Sequence, residues 1–316
     1  MAEIKPEGWL LDTAENREAL RTPGGLLRAK EEDRILEARA LVCDSEHNLI
    51  VDLDCMKGII PRQEGALGLE EGTTRDIAVI SRVNKAVCFK ILDIKRQPDG
   101  RQQAVLSRRA AQQQAQADYI SRLTPGDVID VRVTHLEPFG AFVDIGCGIP
   151  SLIPIDLISI SRISHPRDRF HVGQDIKAVV KSFEENRRVC LSHKELLGTW
   201  EENAARFSPG ETVAGIVRSQ ENYGVFVELS PNLAGLAEPR EDVHAGQSAS
   251  VFIKNLIPEK MKVKLIIVDA FDAAYKPEPP DYFISSGHID RWQYSPSVCT
   301  RVIETVFNDS GSDAQA

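Results

Sequence analysis

The sequence has no long apolar run and no closely spaced pair of cysteines. Its 316 residues include no stretch of 18 or more apolar residues, and the N-terminus lacks the basic and apolar regions of a signal peptide. The six cysteines are scattered along the chain without a Cys-x-x-Cys pair. We therefore expect no membrane association, no disulfide framework, no zinc site and a cytoplasmic location.

Basic residues are fewer than acidic ones: the chain has 38 lysines and arginines, 47 aspartates and glutamates, and a net charge of −9. Proteins that hold duplex nucleic acid by bulk charge usually present a strong basic patch, so this class is disfavoured. Single-strand binders are not excluded, because base stacking on aromatic rings contributes about 1–3 kcal/mol per base and needs only a few cations nearby. Local charge therefore matters more than the total.

Catalytic signatures are also scarce. The seven histidines show no metal-ligand spacing with each other or with the cysteines, and no glycine-rich nucleotide loop is present. His288 and Asp290 have the residue types of an acid/base pair, but this spacing is common by chance. We expect a protein that is not an enzyme, with no catalytic residues, metal, cofactor or small-molecule substrate.

One seven-residue pattern, by contrast, occurs twice. Residues 139–145 are FGAFVDI, and residues 223–229, 84 positions later, are YGVFVEL. In a strand the second ring of each copy shares a face with the carboxylate, and that face normally lies in water. The glycine lets the chain turn, so the first ring can reach the same surface. A single Phe here would more often pack beneath a loop, but the repetition favours two exposed aromatic pairs suited to base stacking.

The pattern belongs to a longer unit that occurs three times. The tripeptide TPG at residues 124–126 recurs as SPG at residues 208–210, and a weaker copy starts near residue 35. At an offset of 92 residues, His47 and Ile50 take the places of the two rings in this first copy. The first unit therefore keeps the apolar half of the strand pattern and lacks the presumed stacking surface.

The units differ in length after their third strand. The first unit is 16 residues longer than the second between the glycine before its fourth strand and its last strand. We attribute this excess to an extra hairpin, within a β pattern that includes residues 77–80. The third unit lacks 11 residues of the irregular connection between its third and fourth strands.

Each unit contains five short strands with one irregular connection, which is typical of an oligonucleotide-binding barrel. We predict a mostly β chain of tandem five-stranded antiparallel barrels joined by short helical linkers, with Trp200 of the second linker packed against a barrel. The predicted segments are a leader (1–34), a degenerate barrel (35–109), a helical linker (110–123), a barrel (124–195), a second helical linker (196–207), a shortened barrel (208–271) and a C-terminal extension with a disordered end (272–316).

The sequence indicates least about the structure and function of the two ends of the chain. Residues 1–34 are acidic and polar with a Pro-Gly-Gly break at residues 23–25, and we interpret them as a loose leader followed by a helix or an entry strand. Residues 272–316 begin with several prolines and contain several rings. These rings either dock on the third barrel or form a second ligand surface.

Four segments carry a family resemblance: residues 126–128 (GDV), 139–145 (FGAFVDI), 172–174 (VGQ) and 188–194 (RVCLSHK). They resemble the S1 RNA-binding motif, and the three-unit chain resembles the bacterial ribosomal protein S1 family. The resemblance implies tandem S1-type antiparallel barrels. In this family an exposed aromatic pair, a strand-three histidine, an acidic loop residue and a strand-five arginine bind single-stranded RNA.

Carried over position by position, the resemblance assigns RNA-binding residues in two of the three barrels. The strand-three histidine is replaced by Pro154 in the middle unit and by Glu238 in the third. The acidic loop residue of the middle unit is either Glu184 or Glu185. These replacements imply weaker binding per barrel, offset in part by avidity between linked barrels. The predicted RNA-binding residues are Phe139, Phe142 and Arg188 in the middle unit and Tyr223, Phe226 and Lys262 in the third.

Three functional hypotheses follow from the resemblance. The leading one is non-enzymatic binding of single-stranded RNA in translation, with mRNA as the ligand and the small ribosomal subunit as a candidate partner. A second is a free RNA-binding regulator of mRNA stability or transcription. A third is a protein-interaction scaffold that docks on the ribosome through its degenerate first barrel.

Overall fold

The chain folds into three successive closed barrels of five strands each. The computed structural model describes residues 4–98, 100–184, 188–273 and 277–307. Two compact units are present, one formed by residues 1–123, 130–132 and 144–150 and the other by residues 124–129, 133–143 and 151–316. Within the described ranges, no helix has the length and apolar character needed to cross a membrane.

Two helices precede the first barrel, α1 (Ala14–Arg21) and α2 (Pro23–Glu31). The predicted break falls at Thr22, directly before the Pro-Gly-Gly sequence, because Pro23 occupies the first turn of α2 and the Thr22 side chain accepts a hydrogen bond from the Gly25 backbone N–H. Proline is well tolerated at this position, where no intrahelical N–H donor is required. Leu20 and Leu26 are buried in the core of the first barrel, so this segment is not a loose leader.

In the first barrel the strand order is β1-β2-β3-β5-β4, and all neighbours are antiparallel except β3 and β5. Its strands are β1 (Leu36–Cys43), β2 (Leu49–Asp52), β3 (Lys57–Ile60), β4 (Ala86–Arg96) and β5 (Gln102–Ser107). Between β3 and β4 lies a one-turn helix, α3 (Ile77–Ile80), where the sequence predicted a β pattern. Val79 is buried while Ile77 is exposed, which is incompatible with a strand that has both on one face. The predicted extra hairpin is therefore wrong.

A helix, α4 (Arg108–Asp118), follows β5 directly, as the sequence predicted for the first linker. The middle barrel comes next, with strand order β10-β8-β7-β6-β9. Its strands are β6 (Val128–Glu137), β7 (Gly140–Asp144), β8 (Pro150–Pro154), β9 (Asp175–Phe183) and β10 (Val189–Ser192).

The third barrel follows a short helix, α5 (Trp200–Ala204), which begins with a capping box formed by Thr199 and Glu202. Trp200 is buried in the core that this barrel shares with neighbouring elements of the second unit, as predicted. The order is β11-β12-β13-β15-β14. The strands are β11 (Thr212–Glu221), β12 (Gly224–Ser230), β13 (Leu233–Ala237), β14 (Ser248–Ile257) and β15 (Lys262–Phe271).

The C-terminal extension packs its rings into the core of the second unit. It contains the two-stranded sheet of β16 (Arg291–Gln293) and β17 (Glu304–Val306). Trp292, Tyr294 and Phe307 are buried, and the Tyr294 hydroxyl donates to the Asn232 carbonyl oxygen at 2.6 Å. The prediction that rings of the C-terminal extension dock on the third barrel is therefore confirmed for these three residues. The end predicted to be disordered, from residue 308 on, lies outside the described residues, and the division into seven segments stays a prediction.

The carboxylates that follow the second ring of each pattern are buried, so the expectation that they lie in water is wrong. Within the first unit, Asp144 accepts hydrogen bonds from the backbone N–H groups of Glu7, Gly146 and Gly148 at 2.7–2.9 Å. Burial raises the pKa of Asp144 to about 7. The charge pattern of a strand does not show which carboxylates find buried donors elsewhere in the chain.

Glu228 is the counterpart of Asp144 in the third barrel and is held by two arginines. Its carboxylate accepts hydrogen bonds from Arg169 at 2.6 Å, from Arg218 at 2.8 and 3.0 Å, and from the Ser161 hydroxyl at 2.7 Å. Burial acts to raise the pKa of Glu228, but the hydrogen bonds and charges of Arg218 and Arg169 outweigh it and lower the pKa below its usual value. This cluster joins the irregular connection of the middle barrel to β11 and β12 of the third.

Replacing Glu228 with alanine removes the carboxylate shared by the buried Arg169 and the half-buried Arg218, and leaves Arg218 with Asp168 at 3.5 Å. We expect Glu228→Ala to lower the free energy of unfolding of the second unit by about 3–5 kcal/mol. Urea unfolding measures this loss, with the exposed Glu221→Ala on β11 as a control that stays within about 0.5 kcal/mol of wild type. Because the pKa of Glu228 is lowered, its contribution is lost as the pH falls through that value, and the difference should shrink in acid. Equal unfolding midpoints near neutral pH would contradict this role.

Candidate nucleic-acid interface

The four predicted ring residues form two exposed aromatic pairs with nearly identical geometry. Phe139 and Phe142 have ring centroids 5.9 Å apart and planes at 89°. Tyr223 and Phe226 have centroids 6.2 Å apart and planes at 88°. The first ring of each pair is 56 % or 66 % exposed, and the second is half-buried. An edge-to-face pair of this kind holds one ring upright and leaves both in reach of a base.

A glycine between the rings allows the ring-bearing strand to approach its neighbour closely. A Cβ on Gly140 would lie 2.5 Å from the carbonyl oxygen of Ile153, and one on Gly224 would lie 2.5 Å from that of Ala237. Any other residue would push the strand away from its neighbour. The glycine in the aromatic-Gly-x-aromatic pattern therefore fixes the position of the rings by packing, in addition to the turn predicted from sequence.

A third ring, which the sequence did not reveal, lies beside the middle pair. His135 on β6 has its ring centroid 6.4 Å from that of Phe142, with the planes tilted by 33°. Its Nε2 lies 2.6 Å from a carboxylate oxygen of Glu137, and its side chain is 63 % exposed. This histidine lies outside the repeated aromatic pattern, so the sequence gives no signal for it. Its place one strand away from Phe142 depends on strand register.

Strand register aligns a row of side chains across the surface of the third barrel. Phe226 pairs with Ser219 on one side and with Leu236 on the other. Leu236 in turn pairs with Lys264, which pairs with Asn255. All five side chains are exposed or half-buried. We call this set the third-barrel row.

An equivalent middle-barrel row consists of His135, Phe142, Leu152, Cys190 and Ser182. Cys190 pairs with Leu152 and with Ser182. Phe142 and Leu152 lie 84 residues before the paired Phe and Leu of the third-barrel row. Cys190 is half-buried, and burial raises the pKa of its thiol. A neutral thiol therefore stands where the third-barrel row has a lysine.

The first-barrel row is aliphatic. Ile50, at the position of the second ring, pairs with Val42 and Ile59, and Ile59 pairs with Val105. Val105 pairs with Asp93 at the end of the row. Val42 is 53 % exposed, and the other three aliphatic side chains are half-buried. This surface can bury apolar groups, and the five residues of its row include neither a ring nor a cation, while Lys30 lies 3.2 Å from Asp93 at its end.

The two cations carried over from the family lie at the start of the last strand of their barrels. Arg188 precedes β10 and Lys262 begins β15, and both are exposed. Lys262 pairs with Ile257, so it lies two residues along the strand from the third-barrel row and not within it. Their assignment as RNA ligands stays a prediction.

The positions where this chain departs from the family are also at the surface. Pro154 ends β8 and is half-buried. The Glu238 carboxylate is 85 % exposed and lies 3.9 Å from the Lys254 ammonium. Of the two candidates for the acidic loop residue, Glu184 is exposed, and Glu185 lies outside the described residues.

Two histidines outside these rows have structural partners. His193 is buried with its Nε2 3.2 Å from the Tyr282 hydroxyl, and burial lowers its pKa to about 4. His288 Nδ1 lies 2.7 Å from Asp127, while its Nε2 is 3.6 Å from Asp290. Both pairs join the C-terminal extension to the middle barrel. The described residues include no cluster of three or more His, Cys, Asp and Glu arranged to hold a metal ion.

Comparison with known proteins identifies the class to which the middle barrel belongs. Residues 122–194 match the S1 RNA binding domain family, and this range includes the whole middle-barrel row. The predicted resemblance to the ribosomal protein S1 family, with S1-type repeats, is confirmed.

The particular relatives are ribosomal. The chain is 34% identical over 180 residues to small ribosomal subunit protein bS1 of Staphylococcus aureus strain COL, an alignment that covers 52% of this chain and 46% of that protein. It is 33% identical over 178 residues to the bS1 homolog of Bacillus subtilis strain 168, with 51% and 46% covered. The chain thus spans about half the length of the curated relatives it matches.

One solved structure matches this chain at low similarity. It is a multidomain protein with nucleic acid binding domains from Streptococcus pneumoniae, 14% identical, with 75% of this chain and 74% of that chain covered and a TM-score of 0.25. The barrel assignment depends on the strand pairing of this chain itself.

Proposed function

We propose that this protein binds single-stranded RNA on the middle-barrel and third-barrel rows, without catalysing a reaction. The observation that carries the proposal is the repeated edge-to-face ring pair, exposed on two barrels at equivalent positions. Paired rings at the surface offer flat apolar faces, and bases are flat partners that stack on such faces. The S1 family match over the middle barrel supports the same ligand.

The energetics favour stacking over bulk electrostatics. Each stacked base contributes about 1–3 kcal/mol, and this contribution does not depend on the acidic net charge of the chain. The Glu228 cluster connects the middle and third barrels within one compact unit. An RNA that reaches both rows gains avidity, because the second contact forms at a high effective concentration.

We further propose that the RNA is mRNA and that binding serves translation at the small ribosomal subunit, in the cytoplasm. The support is the similarity to proteins named as small ribosomal subunit protein bS1. A free regulator of mRNA stability or transcription would use the same rows. Co-sedimentation with small subunits separates the two roles.

Removing the four rings tests the stacking surfaces directly. We expect wild type to bind a labelled mixed-sequence single strand in the micromolar range, and the Phe139→Ala/Phe142→Ala/Tyr223→Ala/Phe226→Ala variant to lose most of this affinity at two salt concentrations. The measurement is a fluorescence titration. The control is Phe271→Ala, an exposed ring outside both rows that should bind like wild type. Equal binding by wild type and the four-ring variant, or no binding by either, would contradict the proposal.

A second function, protein docking, is favoured for the first barrel by its aliphatic row. Val42, Ile50, Ile59 and Val105 occupy the surface that has rings or a lysine in the other barrels. An exposed apolar strip of this kind is typical of a protein-binding surface. A scaffold docked through this barrel would leave the other two rows open to RNA.

Charged substitutions separate docking from RNA binding. We expect the Val42→Lys/Ile59→Lys variant to co-sediment less with purified small subunits, because the lysines cannot be buried against an apolar partner. Its affinity for free RNA should be unchanged. Ile77→Lys is a matched control, since Ile77 is 64 % exposed in the same unit and lies outside the row. Unchanged co-sedimentation of the double variant would rule out docking through this row.

A further inference from the structure

One position of the rows differs in chemistry between the two ring-bearing barrels. The residue that pairs with the row leucine is Lys264 in the third barrel and Cys190 in the middle barrel. We propose that Lys264 is an RNA-phosphate contact that makes binding to the third barrel salt-dependent, while the middle barrel binds chiefly by stacking. This inference rests on the proposed RNA-binding function and specifies how each row performs it.

The register places Lys264 within reach of an RNA held by the ring pair. Phe226 pairs with Leu236, and Leu236 pairs with Lys264, so two strand spacings of about 4.8 Å separate the ring from the lysine. Both side chains project from the same face of the sheet, and the lysine side chain is long and flexible. A base stacked on Phe226 therefore brings its own backbone, or that of the next nucleotide, towards the ammonium group.

The lysine has no competing ion-pair partner in the described part of the chain. The structure records no ion pair for Lys264, and its side chain is exposed. The nearby Glu238 lies 3.9 Å from Lys254. The ammonium is therefore available to a phosphate, and neutralising one phosphate of a single strand contributes about 0.7 to the slope of log affinity against log salt.

Lys262, the position carried over from the family, is less well placed. It pairs with Ile257 at the start of β15, about 6.8 Å along the strand from Lys264. Because the two lysines are exposed on one strand and have the same charge, they form a matched pair for experiment. Only Lys264 lies in register with Phe226.

The middle-barrel row compensates with a ring. His135 lies beside Phe142 where the third-barrel row has Ser219. Cys190 in this row contributes no positive charge, because a thiol is either neutral or negatively charged, and burial raises its pKa and favours the neutral form. The middle barrel thus offers three rings without a lysine in register, and the third barrel offers two rings with one.

The test measures salt dependence in full-length chains. The probe is a 5′-labelled 12-residue oligouridylate, followed by fluorescence anisotropy between 50 and 400 mM KCl. In a Phe139→Ala/Phe142→Ala background, which confines binding to the third barrel, we expect Lys264→Ala to reduce the salt slope by about 0.7 and Lys262→Ala to reduce it by less. A loss of slope in Lys262→Ala without one in Lys264→Ala would overturn the inference.

The reciprocal substitution tests whether a lysine in the middle-barrel row increases the salt dependence of binding. In a Tyr223→Ala/Phe226→Ala background, we expect Cys190→Lys to increase the salt slope by about 0.7, with Cys190→Ala as its control. A Cys190→Lys slope equal to that of Cys190→Ala overturns the inference. Unchanged thermal melting of each variant shows that the fold is intact. If the wild type does not bind the probe, the proposed RNA-binding function fails as well. If it binds but the salt slope does not change with the substitutions at positions 190 and 264, only this inference is refuted.

Discussion

The burial of one carboxylate per ring-bearing strand is the interaction on which the interface depends. Asp144 and Glu228 lie two residues after Phe142 and Phe226 and therefore on the same face of β7 and β12. One end of that face is closed by hydrogen bonds to the carboxylate, and the other end holds the rings at the surface. The sequence alone assigns this whole face to water. In the structure its carboxylate is buried and hydrogen-bonded, while its rings remain at the surface.

The repeat made much of this architecture predictable. The recurrence after 84 residues located the ring pairs and the five-strand units, because strand periodicity and turn residues are local properties of the sequence. Register-dependent features were not predictable. The sequence does not align Lys264 with Phe226, because the pairing of β13 with β15 follows from barrel closure, and one partner of Glu228, Arg169, lies 59 residues away. Residues 77–80 have high β propensity but form a helix whose Val79 is buried in the core of the first barrel, a tertiary context that the local sequence does not show.

The three rows show how one barrel plan supports different surfaces. Each barrel retains the core-facing half of the strand pattern. Around all three closed barrels the strands follow the same order: first, second, third, fifth and fourth. The outward half varies freely, from the aliphatic row of the first barrel to the ring and lysine of the third. Because inward and outward positions alternate along a strand, a barrel can exchange its ligand surface without disturbing its core.

Protection of a native thiol is the most direct test that RNA lies on these rows. Cys190 belongs to the middle-barrel row, whereas the half-buried Cys43, Cys55 and Cys299 belong to none of the three rows. Alkylation rates of each cysteine, followed by mass spectrometry with and without a saturating single-stranded RNA, report occupancy in the unmodified protein. The account predicts that RNA slows alkylation of Cys190 and leaves the other three rates unchanged. An unchanged rate at Cys190 under saturating RNA would contradict it.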